Sequence, residues 1–337
     1  MMKGIILKKP GEFELAERPV PVIENSDEIL VKIEAASICG SDLHIFSNPP
    51  GIKAVPGTII GHEFVGRVVK TGSEVHGFKE GDRLVCDPNI SCGHCSYCKM
   101  GLPNMCVNMK TLGVELDGGF AEYCVLPEKA AVKISQDLSA DRAVFAEPLT
   151  CVMNGMNKIR LMPGETAAVL GAGPIGLYFV KLLRQNGAGK IFVSETSSYR
   201  AEYAAKYGAD MVVNPTKENF EEMVKAQTEG LGADVVIDAV GSLLAQAVRT
   251  VRRGGKILLF GYNDKAVSPV EQGVITRHDL TVMGNWIGLF TLPATVRLLE
   301  SEAVDFEISH RISLEEFGSG LNAMRRGTAL KVVIYPN

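Results

Sequence analysis

The sequence predicts two domains of different class, a β-rich first half and an α/β second half built on a doubly wound parallel sheet. Three observations carry this. Up to about residue 150, short β-like runs alternate with Gly and Pro. From about residue 161, apolar runs of about five residues alternate with amphipathic helical stretches, the pattern of βαβ units. The chain has 337 residues, more than one typical domain and enough to bury a large core without disulfides.

In the first half the strand candidates are 28–35, 66–70, 83–86 and 121–126, which read as a compact all-β or α+β unit. The texture changes between residues 151 and 163. In the second half the strands fall at 166–170, 190–194, 211–213, 234–240, 256–261 and 280–284. Helical periodicity fills 175–186, 199–207, 220–227 and 242–252, with Gly187, Gly208, Gly230 and Gly254 placed as helix C-caps. Six strands with intervening helices match a dinucleotide-binding sheet. A helical stretch at 291–300 and an apolar strand, Leu330-Lys331-Val332-Val333-Ile334-Tyr335, close the chain.

Composition excludes several functions. With 35 Lys+Arg against 39 Asp+Glu the formal charge is −4, and no long basic run exists to grip DNA or RNA. No apolar run approaches the roughly 18 residues that span a bilayer, so no membrane partner is expected. The apolar part of the N-terminus is too short for a signal peptide and ends in Lys8-Lys9, which predicts a cytoplasmic protein.

The first of the six strands leads into Gly171-Ala172-Gly173-Pro174-Ile175-Gly176 and then a helix, the G-x-G-x-x-G context of a pyrophosphate cradle. Glu195 closes the next strand about twenty residues on, where a carboxylate accepts hydrogen bonds from the adenosine ribose. That favours NAD. Arg200, with Thr196, Ser197 and Ser198, leaves NADP open, because a cation there tolerates a 2′-phosphate.

Of eight cysteines, four form Cys92-x2-Cys95-x2-Cys98-x7-Cys106. Neither a core nor a cytosolic disulfide framework explains that density, whereas four thiolates can wrap one zinc ion in a closed, structural site. An iron–sulfur cluster is the rival, weakened by the longer last spacing and the lack of Pro after Cys106. Cys86, Cys124 and Cys151 read as buried core thiols. Cys39 differs: Cys39-Gly40-Ser41-Asp42-Leu43-His44 places a thiol, a hydroxyl, a carboxylate and an imidazole within six residues. Gly61-His62-Glu63 and Glu147-Pro148-Leu149 add an imidazole and two acids, a set able to hold a catalytic zinc with one open position.

These motifs, with Asp117-Gly118-Gly119-Phe120-Ala121-Glu122-Tyr123, make the chain resemble the zinc-dependent medium-chain dehydrogenase/reductase family over essentially its whole length. The resemblance implies a GroES-like catalytic domain over 1–151 with a structural zinc lobe, a Rossmann domain over 152–286, and a return of 287–337 to the first domain. It also implies two zinc ions per chain. Cys39 and His62 match the invariant ligands of the catalytic one, while Glu63 and Glu147 share the remaining ligation, one of them indirectly. A glutamate rather than a cysteine at 147 resembles the polyol (sorbitol, xylitol) and threonine dehydrogenase branch. Asp42 matches the acceptor for the second N–H of His62, Ser41 the hydroxyl that touches the substrate oxygen, and His44 the outer end of a proton relay.

The implied reaction is oxidation of a secondary alcohol to a ketone, with hydride transfer to NAD in a cleft between two domains and assembly as a homodimer or homotetramer. Residues 45–54, 114–120 and Asn285-Trp286 are the candidate substrate walls, although a lone tryptophan also reads as a packed core residue. Asp87-Pro88-Asn89-Ile90 resembles sugar-alcohol dehydrogenases, so a polyol is expected ahead of threonine, butane-2,3-diol or a cyclitol. A metal-free reductase and a non-catalytic nucleotide-binding protein on the same fold are the competing readings.

Overall fold

The computed structural model describes residues 1–336. The chain divides into two compact units, Met1–Thr150 with the described residues from Gly288 onward, and Cys151–Ile287.

The first unit is organised by the strand Glu28–Ser37, nine of whose ten residues are buried or half-buried. Its near-continuous apolar face follows from its central position in a seven-stranded sheet. Glu63–Thr71, Tyr123–Pro127 and Val332–Ile334 all pair with it antiparallel. Arg83–Cys86 and Ala131–Ile134 extend the sheet beyond Glu63–Thr71, and His310–Ile312 runs parallel to Val332–Ile334 at the other side. The C-terminal strand is thus integral to this unit's sheet. Edge-to-face packing of Phe317 on Phe13, with ring centroids 4.8 Å apart, closes the core beneath the helix Phe317–Arg325.

The second unit is a six-stranded, all-parallel sheet in the spatial order Met211–Val213, Lys190–Ser194, Thr166–Leu170, Ala233–Asp238, Val251–Leu259, Thr281–Gly284. In chain order this is 3-2-1-4-5-6, the doubly wound Rossmann arrangement. The order reverses between Thr166–Leu170 and Ala233–Asp238, so the crevice for a nucleotide opens beyond Leu170 and Asp238.

Three local expectations need correction. The helix expected at 242–252 is Leu244–Thr250, and the next strand starts at once with Val251. Gly254, expected as a helix cap, lies inside that strand at φ +69°. Val251 pairs with Ala233 and Lys256 with Val235, so residues 252–255 bulge opposite Asp234, where Arg252 forms an ion pair with it. The strand expected at 234–240 ends at Asp238, whose carboxylate accepts the N–H groups of Val240, Gly241 and Leu243 and turns the chain away. The N-terminal hairpin, Met2–Lys9 with Glu12–Arg18, has no counterpart in the sequence reading.

Candidate functional site

The four-cysteine lobe brings the Sγ atoms of Cys92, Cys95, Cys98 and Cys106 within 4.8 Å of one another. Cys95 Sγ stands 3.5 Å from Cys98 Sγ and 3.9 Å from Cys106 Sγ. Thiolates ~2.3 Å from a shared zinc would stand ~3.8 Å apart in a tetrahedron, so the set fits the ion. Backbone N–H groups already point at these sulfurs, from Cys95 to Cys92 at 3.4 Å and from Cys92 to Cys106 at 3.3 Å. The His94 N–H pulls Cys92 down to about 6, whereas burial and the neighbouring thiols push Cys98 up to about 11. All eight cysteines are free of disulfides.

A second trio, Cys39, His62 and Glu63, also gathers its ligand atoms within 4.8 Å. Cys39 caps the short helix Gly40–Ile45, and Asp42 Oδ2 accepts the Cys39 N–H at 2.8 Å, closing a capping box that fixes the thiol's position. Asp42 Oδ1 lies 3.6 Å from His62 Nδ1, ion-pair reach but longer than a hydrogen bond, and both atoms are buried without another partner. Burial pushes Asp42 up to about 6. Burial disfavours a charged His62, but Asp42 and Cys39 outweigh it and hold the imidazole well above its usual value. Burial, then Glu63, pushes the Cys39 thiol up. A pocket crowded with buried acids, an imidazole and a thiol suits a divalent cation.

Ser41 Oγ sits 3.6 Å from Cys39 Sγ, and His44 is exposed on the same helix. Glu147 lies in the first turn of the helix Ala146–Ile159 and is buried. Burial pushes it up to about 8, with His62 opposing and Glu63 reinforcing. The sequence reading missed Lys331 and Ser37. Both donate to Oε2 of Glu63, and Lys331 is as buried as the carboxylate it meets. The available signal was a lysine inside an apolar strand. Cys86 and Cys124 are buried as expected, but Cys151 is only half-buried, and Trp286 is 48% exposed, stacked edge-on against Tyr262 rather than packed in a core.

In the second unit, Gly173 caps the helix Pro174–Gln185, with Pro174 in its first turn and no side-chain hydrogen bond capping the helix end. A Cβ on Gly176 would fall 1.9 Å from the Gly171 carbonyl oxygen, so only glycine allows the helix to start this close to the strand. Ile175 lies in the first turn of the same helix. The buried Glu195 accepts N–H bonds from Ala172 and Ser197 at 2.7 and 2.8 Å, and Arg200 approaches it to 3.2 Å. The cradle and its acid are therefore directly joined.

Comparison with known proteins agrees with this construction. Residues 25–136 match the alcohol dehydrogenase GroES-like domain and residues 174–301 the zinc-binding dehydrogenase family. The chain is 32% identical to D-arabinitol dehydrogenase 1 of Uromyces fabae, covering all of this chain and 97% of that protein. It is 33% identical to an L-threonine 3-dehydrogenase of Caldanaerobacter subterraneus subsp. tengcongensis, covering 96% and 95%. A Sinorhizobium meliloti 1021 protein described as a zinc-binding dehydrogenase, solved bound to NADP, superposes with a TM-score of 0.95 at 33% identity, covering 100% and 99%. The chain is an oxidoreductase of the zinc-dependent medium-chain dehydrogenase/reductase family.

Proposed function

We propose that this enzyme oxidises a secondary hydroxyl of a polyol to a ketone, passing the hydride to NAD and a proton to solvent. The observation that carries the reading is the trio Cys39, His62 and Glu63 with the Ser41 hydroxyl beside the thiol. Zinc held there, with Glu147 as a nearby acid, supplies a Lewis acid that lowers the pKa of an alcohol. The chain's own groups do the rest. Asp42 faces His62 Nδ1 and so leaves Nε2 as the ligating nitrogen. Ser41 is placed to take the proton from the substrate hydroxyl, and the exposed His44, three residues on, is the outlet to water. Lys331 and Ser37 hold Glu63.

The glycine loop from Gly171 to Gly176 and the helix behind it would bind the pyrophosphate, and Glu195 the ribose. Glu195 supports NAD over NADP, while Arg200 is the residue through which a 2′-phosphate would be tolerated. The four-cysteine lobe holds a second, structural zinc in this reading. Assembly into a dimer or tetramer is supported by Thr281–Gly284, whose outer edge has no strand partner among the described residues. Among the described residues no helix is long and apolar enough to cross a membrane.

A threonine substrate is the second reading, favoured by the 33% identity to the threonine dehydrogenase, against 32% to the arabinitol dehydrogenase. NAD reduction is measured with sorbitol, xylitol, ribitol, arabinitol, inositol, butane-2,3-diol and threonine, alongside zinc content per chain. Turnover of a polyol with two zinc ions supports the reading. Turnover of threonine alone replaces the substrate, and absence of zinc from the Cys39 trio removes the mechanism.

A further inference from the structure

Three strands of the first unit meet at the metal trio. Ser37 ends Glu28–Ser37, Glu63 begins Glu63–Thr71, and the two are direct register partners. On the other side of Ser37 its partner is Val333, two residues past Lys331. This register, which no local sequence pattern encodes, places the Lys331 ammonium and the Ser37 hydroxyl on one oxygen of Glu63, Oε2. The Lys331 and Glu63 side chains are 3% and 1% exposed.

Two physical consequences follow. A buried ammonium is tolerated only where its partner and geometry compensate for lost water, so this pair is not an incidental surface contact. A carboxylate whose Oε2 already holds two donors has Oε1 left to offer a cation. The charge balance points the same way. Lys331 is a buried cation against Glu63 in an interior that also buries the carboxylates of Asp42 and Glu147.

We propose that Lys331 is a positioning residue of the metal centre: with Ser37 it pins Oε2 of Glu63, presents a single carboxylate oxygen to the ion, and offsets part of the excess negative charge. The C-terminal strand thereby becomes a component of the site. This rests on the reading of Cys39, His62 and Glu63 as a metal site, and the test separates the two ideas.

The full-length protein is prepared as wild type, Cys39→Ser, Lys331→Met, Lys331→Arg and Ser37→Ala. Zinc affinity is measured by chelator competition, and the ligand field is read from visible spectra after cobalt replacement. Lys331→Met is expected to weaken the ion that Cys39→Ser removes by about 10–100-fold and to shift its cobalt bands, leaving the four-cysteine ion untouched. Lys331→Arg restores the wild-type bands, which a general packing defect would not do, and Ser37→Ala moves them in the same direction as Lys331→Met by a smaller amount. Wild-type affinity and bands in both Lys331→Met and Ser37→Ala overturn the proposal while leaving the metal site standing. A Cys39→Ser variant that keeps both ions overturns the underlying reading instead. Should Lys331→Met fail to fold, Ser37→Ala decides alone: unchanged bands there overturn the proposal, and shifted bands uphold it.

Discussion

Asp42 and His62 face each other across 3.6 Å in the interior, Oδ1 towards Nδ1, while the other oxygen of Asp42 is bound to the N–H of Cys39. One carboxylate thus holds the Cys39 backbone and stands within ion-pair reach of the imidazole of the trio. Asp42→Ala should weaken zinc at the trio by about 10–100-fold, since a ligating imidazole loses its outer partner. Chelator competition resolves this from the four-cysteine ion. Equal release rates for wild type and variant would mean that His62 is oriented by packing alone.

The two cysteine sites should separate stability from turnover. Cys92→Ser is expected to cost one zinc per chain and to lower the melting temperature by about 5 °C or more, because a structural ion contributes to folding directly. Cys39→Ser should cost the other zinc and abolish turnover with little change in melting. Full turnover in Cys39→Ser would exclude the trio from catalysis.

Glu195 is bonded to the N–H of Ala172 within the glycine loop as well as to that of Ser197. Glu195→Ala is therefore expected to raise the KM for NAD about tenfold, the worth of one lost charge-assisted hydrogen bond, and to relax the exclusion of NADP. Initial rates with both nucleotides test this. A constant NAD/NADP ratio would assign ribose recognition elsewhere.

Acid stability should depend on Asp234. Burial pushes its carboxyl up, but the N–H and hydroxyl of Thr166, each at 2.7 Å, and the Arg252 guanidinium outweigh that and hold it below the usual range. Its folded pKa lies below an unfolded value of about 3.9, so the stabilisation is fully present above that pH and fades as pH falls through the folded value. Asp234→Asn should be less stable than wild type at pH 7, with the gap narrowing as pH falls below about 3.9 in urea melts. A gap of equal size above and below that pH would assign the effect to packing.

Legibility in the sequence followed chain distance. The glycine loop, the Cys92–Cys106 spacing and the Cys39–His44 run each lie within a few turns of chain, so local pattern and chemistry coincide there. The apolar alternation of the second half was readable for the same reason, and its failure at Gly254 is instructive. Arg252-Arg253-Gly254-Gly255 looks like the end of a helix, but pairing with Ala233–Asp238 draws the residues into an extended strand with a bulge. The N-terminal hairpin was missed because its second strand, Glu12–Arg18, is mostly half-exposed and polar.

By itself the sequence determined the two fold classes, the family, and which residue types could bind metal and nucleotide, because motifs of contiguous residues carry their own chemistry. Only the tertiary structure shows Glu63 gathered with Cys39 and His62. Their ligand atoms lie within 4.8 Å of one another, and Glu63 is held by a lysine 268 residues away. Strand register is a long-range choice made by burying whole faces at once, and no local window of sequence contains the partner that completes the site.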